Sequence, residues 1–249
     1  MQTDWQKNLK VQLYVDGADQ GVIEKMAKFD WIIGFTTNPS LMRKSGSTNY
    51  KEFAQKSLQL IGDKPISFEI FADDHQGMIA QGLEIASWGK NIYVKIPVVN
   101  TKGESTAKVI KELSQKGIKL NVTAIFTVEQ VQEVVSNLQS GVPSIVSVFA
   151  GRIADTGIDP MPIMAQAKKI TKTLQGCELL WASPREVLNV FQANDVECDI
   201  ITATPDILNK LNLTGKNLNE FSIETVQLFY EDAKAAGFVI EIDSNSNAN

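Results

Sequence analysis

Short apolar runs rich in β-branched residues alternate along this chain with longer stretches of helical period. Residues 11–16, 32–36, 66–70, 92–96, 118–123, 144–149, 178–182 and 199–202 are predicted strands. Amphipathic stretches separate them, among them 76–88, 104–116, 128–139, 161–174 and 184–194. Strict strand–helix alternation implies parallel strands covered by helices. Eight such units in 249 residues predict an α/β protein with a single closed (β/α)₈ TIM barrel rather than an open doubly wound sheet. An open sheet holding a dinucleotide should carry G-x-G-x-x-G after its first strand, whereas Asp16-Gly-Ala-Asp-Gln-Gly21 lacks that spacing. The Walker pattern is missing too. With no solenoid repeat and no linker, one barrel domain over residues 1–249 is expected. An extra C-terminal helix over 223–236 should pack on the barrel or on a neighbouring subunit, and the polar tail 243–249 should be disordered.

Composition narrows the chemistry. Hydrophobic residues make up 43% and charged residues 21%, enough to bury a large core. A net charge of -5 argues against a nucleic-acid partner, while small anionic substrates stay open because local charge can oppose the global sign. The first ten residues are polar and no apolar run is long enough to span a bilayer, so neither a signal peptide nor a membrane partner is expected. Cys177 and Cys198, the two cysteines, read as small buried hydrophobes in a reducing cytoplasm, not as a disulfide framework. The single histidine, His75, excludes a His-rich metal site and a Ser-His-Asp nucleophile, and is read as a first-turn surface residue.

In a barrel of this kind, chemistry gathers where the strands run out. Strand one ends in Asp16, strand two in Thr36-Thr37-Asn38, and strand three carries Glu69. Lys95 lies near the end of strand four, Asn121 and Thr123 on strand five, Ser147 and Phe149 on strand six. Arg152 follows strand six, and Ser183 and Arg185 follow strand seven. Residues two apart face the same side of a strand, so Asn121 with Thr123 and Ser147 with Phe149 can point into one cavity.

Lys95 is the most informative of these. A lysine inside the apolar run Asn91-Ile-Tyr-Val-Lys-Ile-Pro-Val98 is costly, because desolvation disfavours its charged form. A neutral amine in such a place can attack a ketone carbonyl. The residues alone equally allow a structural ion pair of Lys95 with Glu69 or Asp16. Asp16-Gly17 likewise reads as a turn as well as a proton-transfer site. Asn38-Pro39 and Ser183-Pro184 have the grammar of helix starts, where backbone donors can also receive phosphate beside Arg152 and Arg185.

These residues together resemble the transaldolases, including their short aldolase-like branch, from about Val11 to Phe238. The matching segments are Tyr14-Val-Asp16, Thr36-Thr-Asn-Pro-Ser40, Tyr93-Val-Lys-Ile-Pro97, Asn121-Val-Thr-Ala-Ile-Phe126, Val146-Ser-Val-Phe149 with Arg152, and Ala182-Ser-Pro-Arg185. The resemblance implies a metal-free class I mechanism with no cofactor, in which Lys95 forms a Schiff base with the C2 carbonyl of a ketose phosphate. It implies that Asp16 takes the C4 hydroxyl proton, and that Glu69 and Thr123 hold the water that relays protons. Asn38, Asn121 and Ser147 would bind the three-carbon fragment beside Thr36, Phe149 would line the pocket, and Arg152, Ser183 and Arg185 would hold phosphate. Barrels of the family commonly assemble, so a homo-oligomer with sugar-phosphate substrates is expected.

The expected reaction is transfer of a dihydroxyacetone unit from sedoheptulose 7-phosphate or fructose 6-phosphate to glyceraldehyde 3-phosphate or erythrose 4-phosphate, as in the pentose phosphate pathway. The alternative is a fructose-6-phosphate aldolase that releases free dihydroxyacetone, and a third is a barrel that binds phosphosugars without catalysis. The aldolase branch typically has Gln where this chain has Glu69 and Tyr where it has Phe149, which favours transfer, although the chain length is nearer the aldolase branch.

Overall fold

The eight apolar runs all form strands: β1 Gln12–Asp16, β2 Ile32–Thr36, β3 Ile66–Glu69, β4 Ile92–Pro97, β5 Leu120–Ile125, β6 Ser144–Val148, β7 Cys177–Trp181 and β8 Ile200–Ala203. They pair in chain order, all parallel, and β8 returns to β1 to close the barrel. The computed structural model describes residues 4–45 and 49–241, so the tail 243–249 lies outside the described residues. The described residues up to Leu211 form one compact unit and those from Asn212 onward a second. In the second unit the helix is Leu218–Ala235, with Asn217 accepting from the Asn219 and Glu220 amides at its start and no residue of the helix buried. Among the described residues no helix is long and apolar enough to cross a membrane.

Alternation along the strands sorts side chains into two cores. Leu13, Val15, Phe68, Val94, Ile96, Val122, Val146 and Val148 meet Ile23, Met78, Ile110, Leu113, Val131 and Met164 of the surrounding helices. The opposite strand faces fill the lumen, where Tyr14, Ile145, Leu180, Ala182 and Ile200 pack together with Tyr93 and Phe149 against them. Parallel strands covered by helices must be apolar on their outer face, while the inner face is free to carry other chemistry.

The lumen is layered. At its N-terminal end Gln12 donates to Glu178 at 3.0 Å, and the Lys119 ammonium lies 5.8 Å from the Tyr93 ring centroid. Burial pushes the Glu178 carboxyl above the ordinary range, and its Gln12 partner opposes that shift. Tyr14, Ile145, Leu180 and Ile200 make an apolar floor above this end. Gly34 makes the floor possible, since a Cβ there would sit 2.5 Å from the Tyr14 ring. Above the floor the strands turn polar, except β7, where Ala182 follows Leu180 on the inner face.

Some boundaries differ from the sequence reading for physical reasons. β5 runs on to Ile125, because its register shifts between Val122 and Ile125 and Ala124 adopts a left-handed φ of 59°. The helix expected over 184–194 is Leu188–Asp195, because Ser183 also has a positive φ, 61°, and redirects the chain before a helix can begin. Short helices at Asp4–Asn8, Ala150–Asp155 and Pro205–Asn209 have no counterpart in the sequence reading. His75 is the first residue of the helix His75–Ala86, behind the Asp74 cap, and is only half-buried. Cys198 is buried, Cys177 half-buried, and both are free thiols.

Gly34→Ala is expected to lower stability by about 1–3 kcal/mol through overpacking, read as a drop in the urea midpoint. Because the added methyl meets the Tyr14 ring, Gly34→Ala with Tyr14→Leu should cost less than the two changes summed. Strict additivity would contradict the proposed packing of the floor.

Candidate active site

Above the floor lies an open cavity of ≈ 570 Å³ at the C-terminal ends of the strands. Its lining brings together all twelve side chains picked out from the strand ends, from Asp16 and Thr36 on one side to Ser183 and Arg185 on the other. Parallel strands that end at one rim make this convergence possible, since each inward position near a strand end falls in the same layer.

Lys95 lies at the bottom, only 7% exposed. Its ammonium donates to the Thr37 carbonyl at 3.0 Å and lies 3.5 Å from a carboxylate oxygen of Glu69. Glu69 is the direct ladder partner of Lys95 across β3 and β4, so the backbone itself sets this pair face to face. Burial raises the Glu69 carboxyl above its ordinary range, against the opposing pull of Lys95. The ion pair left open by the sequence is thus present, and it does not exhaust the site.

Asp16 stands at the end of β1, accepting from the Thr36 hydroxyl at 2.9 Å and from the Asn38 amide at 3.4 Å. Thr36 also meets the Thr202 hydroxyl at 2.6 Å. Burial again raises the Asp16 carboxyl, while the field of Lys95 and these two donors work against that rise. Two carboxylates therefore flank one amine in different settings: Glu69 against the ammonium, and Asp16 in a cradle of neutral donors.

On β5, Asn121 donates to Ser67 at 2.9 Å and accepts from Ser147 at 2.6 Å. This buried chain runs from β6 to β3 past the lysine strand. The bulge that follows carries Thr123, whose buried hydroxyl has no hydrogen-bond partner among the described residues. A buried hydroxyl without a partner costs stability, and the place of Thr123 in the cavity lining points to a polar ligand group or water as its mate.

The outer end of the cavity is cationic. The Arg152 guanidinium lies 5.1 Å from the Phe149 ring centroid, a cation–π contact that aims it over the mouth. Arg185 donates to the Ser183 hydroxyl at 3.1 Å and forks onto both carboxylate oxygens of Asp155. This holds the Asp155 carboxyl below its usual range and raises the guanidinium. Gly151, next to Arg152, packs on the turn after β7 that leads to Arg185, where a Cβ would fall 1.6 Å from the Ser183 carbonyl oxygen. The expectation that Ser183-Pro184 opens a helix there is corrected: the Arg185 and Glu186 amides bond the Asn189 side chain at 2.7 and 3.2 Å instead of standing free as helix-start donors. Asn38-Pro39 does open a helix, Pro39–Ser45.

Sequence reasoning missed Thr202 and Thr204, which line the cavity, and Ser67, which anchors Asn121. Ser67 lies two residues before Glu69 on the same strand face, a spacing that could have found it. Among the described residues no group of three or more His, Cys, Asp or Glu side chains is placed to hold a metal ion.

Comparison with known proteins bears on this site. A family model described as transaldolase/fructose-6-phosphate aldolase matches residues 13–246. A protein of Nitrosopumilus maritimus (strain SCM1) named "Probable transaldolase" is 31% identical over 235 residues, covering 93% of this chain and 100% of the relative. One of Thermoanaerobacter sp. (strain X514) with the same name is 32% identical over 231 residues, covering 92% and 100%. A crystal structure from Burkholderia cenocepacia J2315 that bears a phosphonomutase name superposes with a TM-score of 0.56 at 9% identity, covering 92% of this chain and 98% of the other, a likeness of fold alone. With the family model spanning nearly the whole barrel and relatives above 30% identity over their full length, the chain belongs to the transaldolase/fructose-6-phosphate aldolase family.

Proposed function

We propose that this protein is a transaldolase that carries a dihydroxyacetone unit between sugar phosphates as a Schiff base on Lys95. One observation carries the reading. A buried amine sits against Glu69 and shares a single cavity with Asp16, the unpaired Thr123 hydroxyl and two arginines. A structural ion pair would need none of the other groups.

In this reading Glu69, whose carboxyl is raised by burial, takes a proton from the Lys95 ammonium and leaves a neutral amine. The amine adds to the ketose C2 carbonyl, giving a carbinolamine whose hydroxyl finds Thr123. Glu69 returns a proton to that hydroxyl, water leaves, and the iminium remains. Asp16 then accepts the proton of the C4 hydroxyl while the C3–C4 bond breaks. Its electron pair flows into the iminium to form an enamine, and the shortened aldose phosphate departs. The enamine attacks the carbonyl carbon of an acceptor aldose, Asp16 returns its proton to the new hydroxyl, and hydrolysis frees Lys95. Asn38, Asn121 and Ser147 hold the hydroxyls of the retained fragment beside Thr36, and Phe149 walls the pocket. Arg152, Arg185 and Ser183 receive the phosphate, Arg185 sharing or exchanging its Asp155 partner. Phe149 carries no phenolic hydroxyl with which to assist early hydrolysis of the enamine, which supports transfer over release of free dihydroxyacetone. The names of the curated relatives support the same choice.

Borohydride added with fructose 6-phosphate should fix a three-carbon fragment on Lys95, found by peptide mass spectrometry. Lys95→Arg should abolish trapping and cut kcat on the order of 10⁴-fold with the fold intact, since a guanidinium cannot supply the neutral amine. Free dihydroxyacetone should accumulate slowly without an acceptor aldehyde and faster in Phe149→Tyr; rapid acceptor-free release by the wild type would make the protein an aldolase instead.

The acid limb of kcat should report Asp16. Its native carboxyl is raised, so ionised base is lost as pH falls through a value above the ordinary Asp pKa of about 4. A limb at or below that ordinary value would remove Asp16 from the role.

A further inference from the structure

The ladder between β2 and β3 is cut short, and what replaces it carries a further role. β2 and β3 pair only at Phe35 with Ile66 and Thr36 with Ser67. The last amide bonds on this seam run from Phe35 to the Pro65 carbonyl and from Thr37 to the Ser67 carbonyl. In a parallel ladder the next bond would run from the Glu69 amide to the Thr37 carbonyl. That bond is not made. The Thr37 carbonyl accepts the Lys95 ammonium at 3.0 Å instead.

The Glu69 peptide is satisfied from outside the sheet. The Tyr50 hydroxyl accepts from the Glu69 amide at 2.7 Å and donates to the Glu69 carbonyl at 3.0 Å. Both groups of one strand residue point the same way, so one hydroxyl serves both, standing where the next residue of β2 would have been. Tyr50 is the first residue of the helix Tyr50–Ile61, whose start is fixed by the Asn49 side chain accepting from the Glu52 amide. Its ring is held among Phe68, Phe71 and Trp88 at centroid distances of 5.9, 4.7 and 5.6 Å. A phenol fixed by three rings and a helix cap is a rigid peg.

We propose that Tyr50 is a positioning residue for the Lys95–Glu69 pair, a role that rests on the Schiff-base reading of the site. By taking over the Glu69 amide it frees the Thr37 carbonyl for the lysine, and it fixes the backbone from which the Glu69 carboxylate reaches the same amine. Without the hydroxyl the Glu69 amide and the Lys95 ammonium compete for one carbonyl. The predicted effect is on proton transfer at the amine, not on capture of the sugar phosphate at the far end of the cavity.

Tyr50→Phe keeps the ring and its packing while removing the hydroxyl. Its kcat and its rate of borohydride trapping should both fall by roughly tenfold or more, the scale of a reacting group held slightly out of place, with KM for the ketose phosphate unchanged. Hydrogen exchange of the Glu69 amide, followed by nuclear magnetic resonance, should accelerate while the Phe68 amide stays protected. Reductive methylation of Lys95 by formaldehyde and cyanoborohydride should change its pH dependence, a readout that needs no sugar. Wild-type trapping with fructose 6-phosphate tests the Schiff-base reading separately. If the wild type is trapped and Tyr50→Phe matches it in trapping rate and KM, Tyr50 has no positioning role. If the wild type is not trapped, the Schiff-base reading fails, and an unchanged methylation profile in Tyr50→Phe then overturns the positioning role too.

Discussion

Holding an amine in the lumen of an apolar barrel is the condition on which the rest of this structure turns. Lys95 has given up nearly all its contact with water, and a charge so placed must find oxygens or lose its proton. The protein supplies one carbonyl and one carboxylate, a sparse set that fits the proposed role of the nitrogen as a nucleophile. A fuller coordination would make a stable structural lysine and a dead site. The polar layer around it follows from this economy: Asp16 and Asn121 are satisfied by neighbours other than the amine. Asp16 takes Thr36 and Asn38, and Asn121 takes Ser67 and Ser147.

That arrangement needs departures from regular structure. The bulge at Ala124 and the left-handed Ser183 both sit at the ends of strands that face the cavity, where backbone strain is tolerated because surrounding contacts over-determine it. The truncated seam beside Glu69 belongs with them. Uninterrupted pairing of β1 with β8, β3 with β4, β4 with β5 and β6 with β7 anchors these local exceptions.

Much of this was legible in the residues. β-branched runs at regular spacing disclosed the strands because parallel strands under helices must be apolar on their outer face, and the lysine within Tyr93-Val-Lys-Ile-Pro97 was conspicuous as a charge inside an apolar run. The twelve strand-end side chains converge because the barrel has one rim. Other features left no local signal. Ala124 and Ser183 are not glycines, so their positive φ values come from tertiary packing. Gly151 carries no local mark of the Ser183 carbonyl packed against it. Tyr50 lies 19 residues before the Glu69 it serves, in a helix whose periodicity reports only its own buried face. Asp155 reads as a surface helix residue, although it is the partner of Arg185. Periodicity reveals which face is buried; it does not reveal which hydroxyl stands in for a missing strand.

On β1 and β7 the apolar floor stands between the cavity and the Gln12–Glu178 end of the barrel, through Tyr14 and Leu180. In the proposed reaction the proton that Asp16 lifts from a donor is the one it hands to an acceptor, so one carboxyl serves both directions and reversibility follows from its single place in the lining.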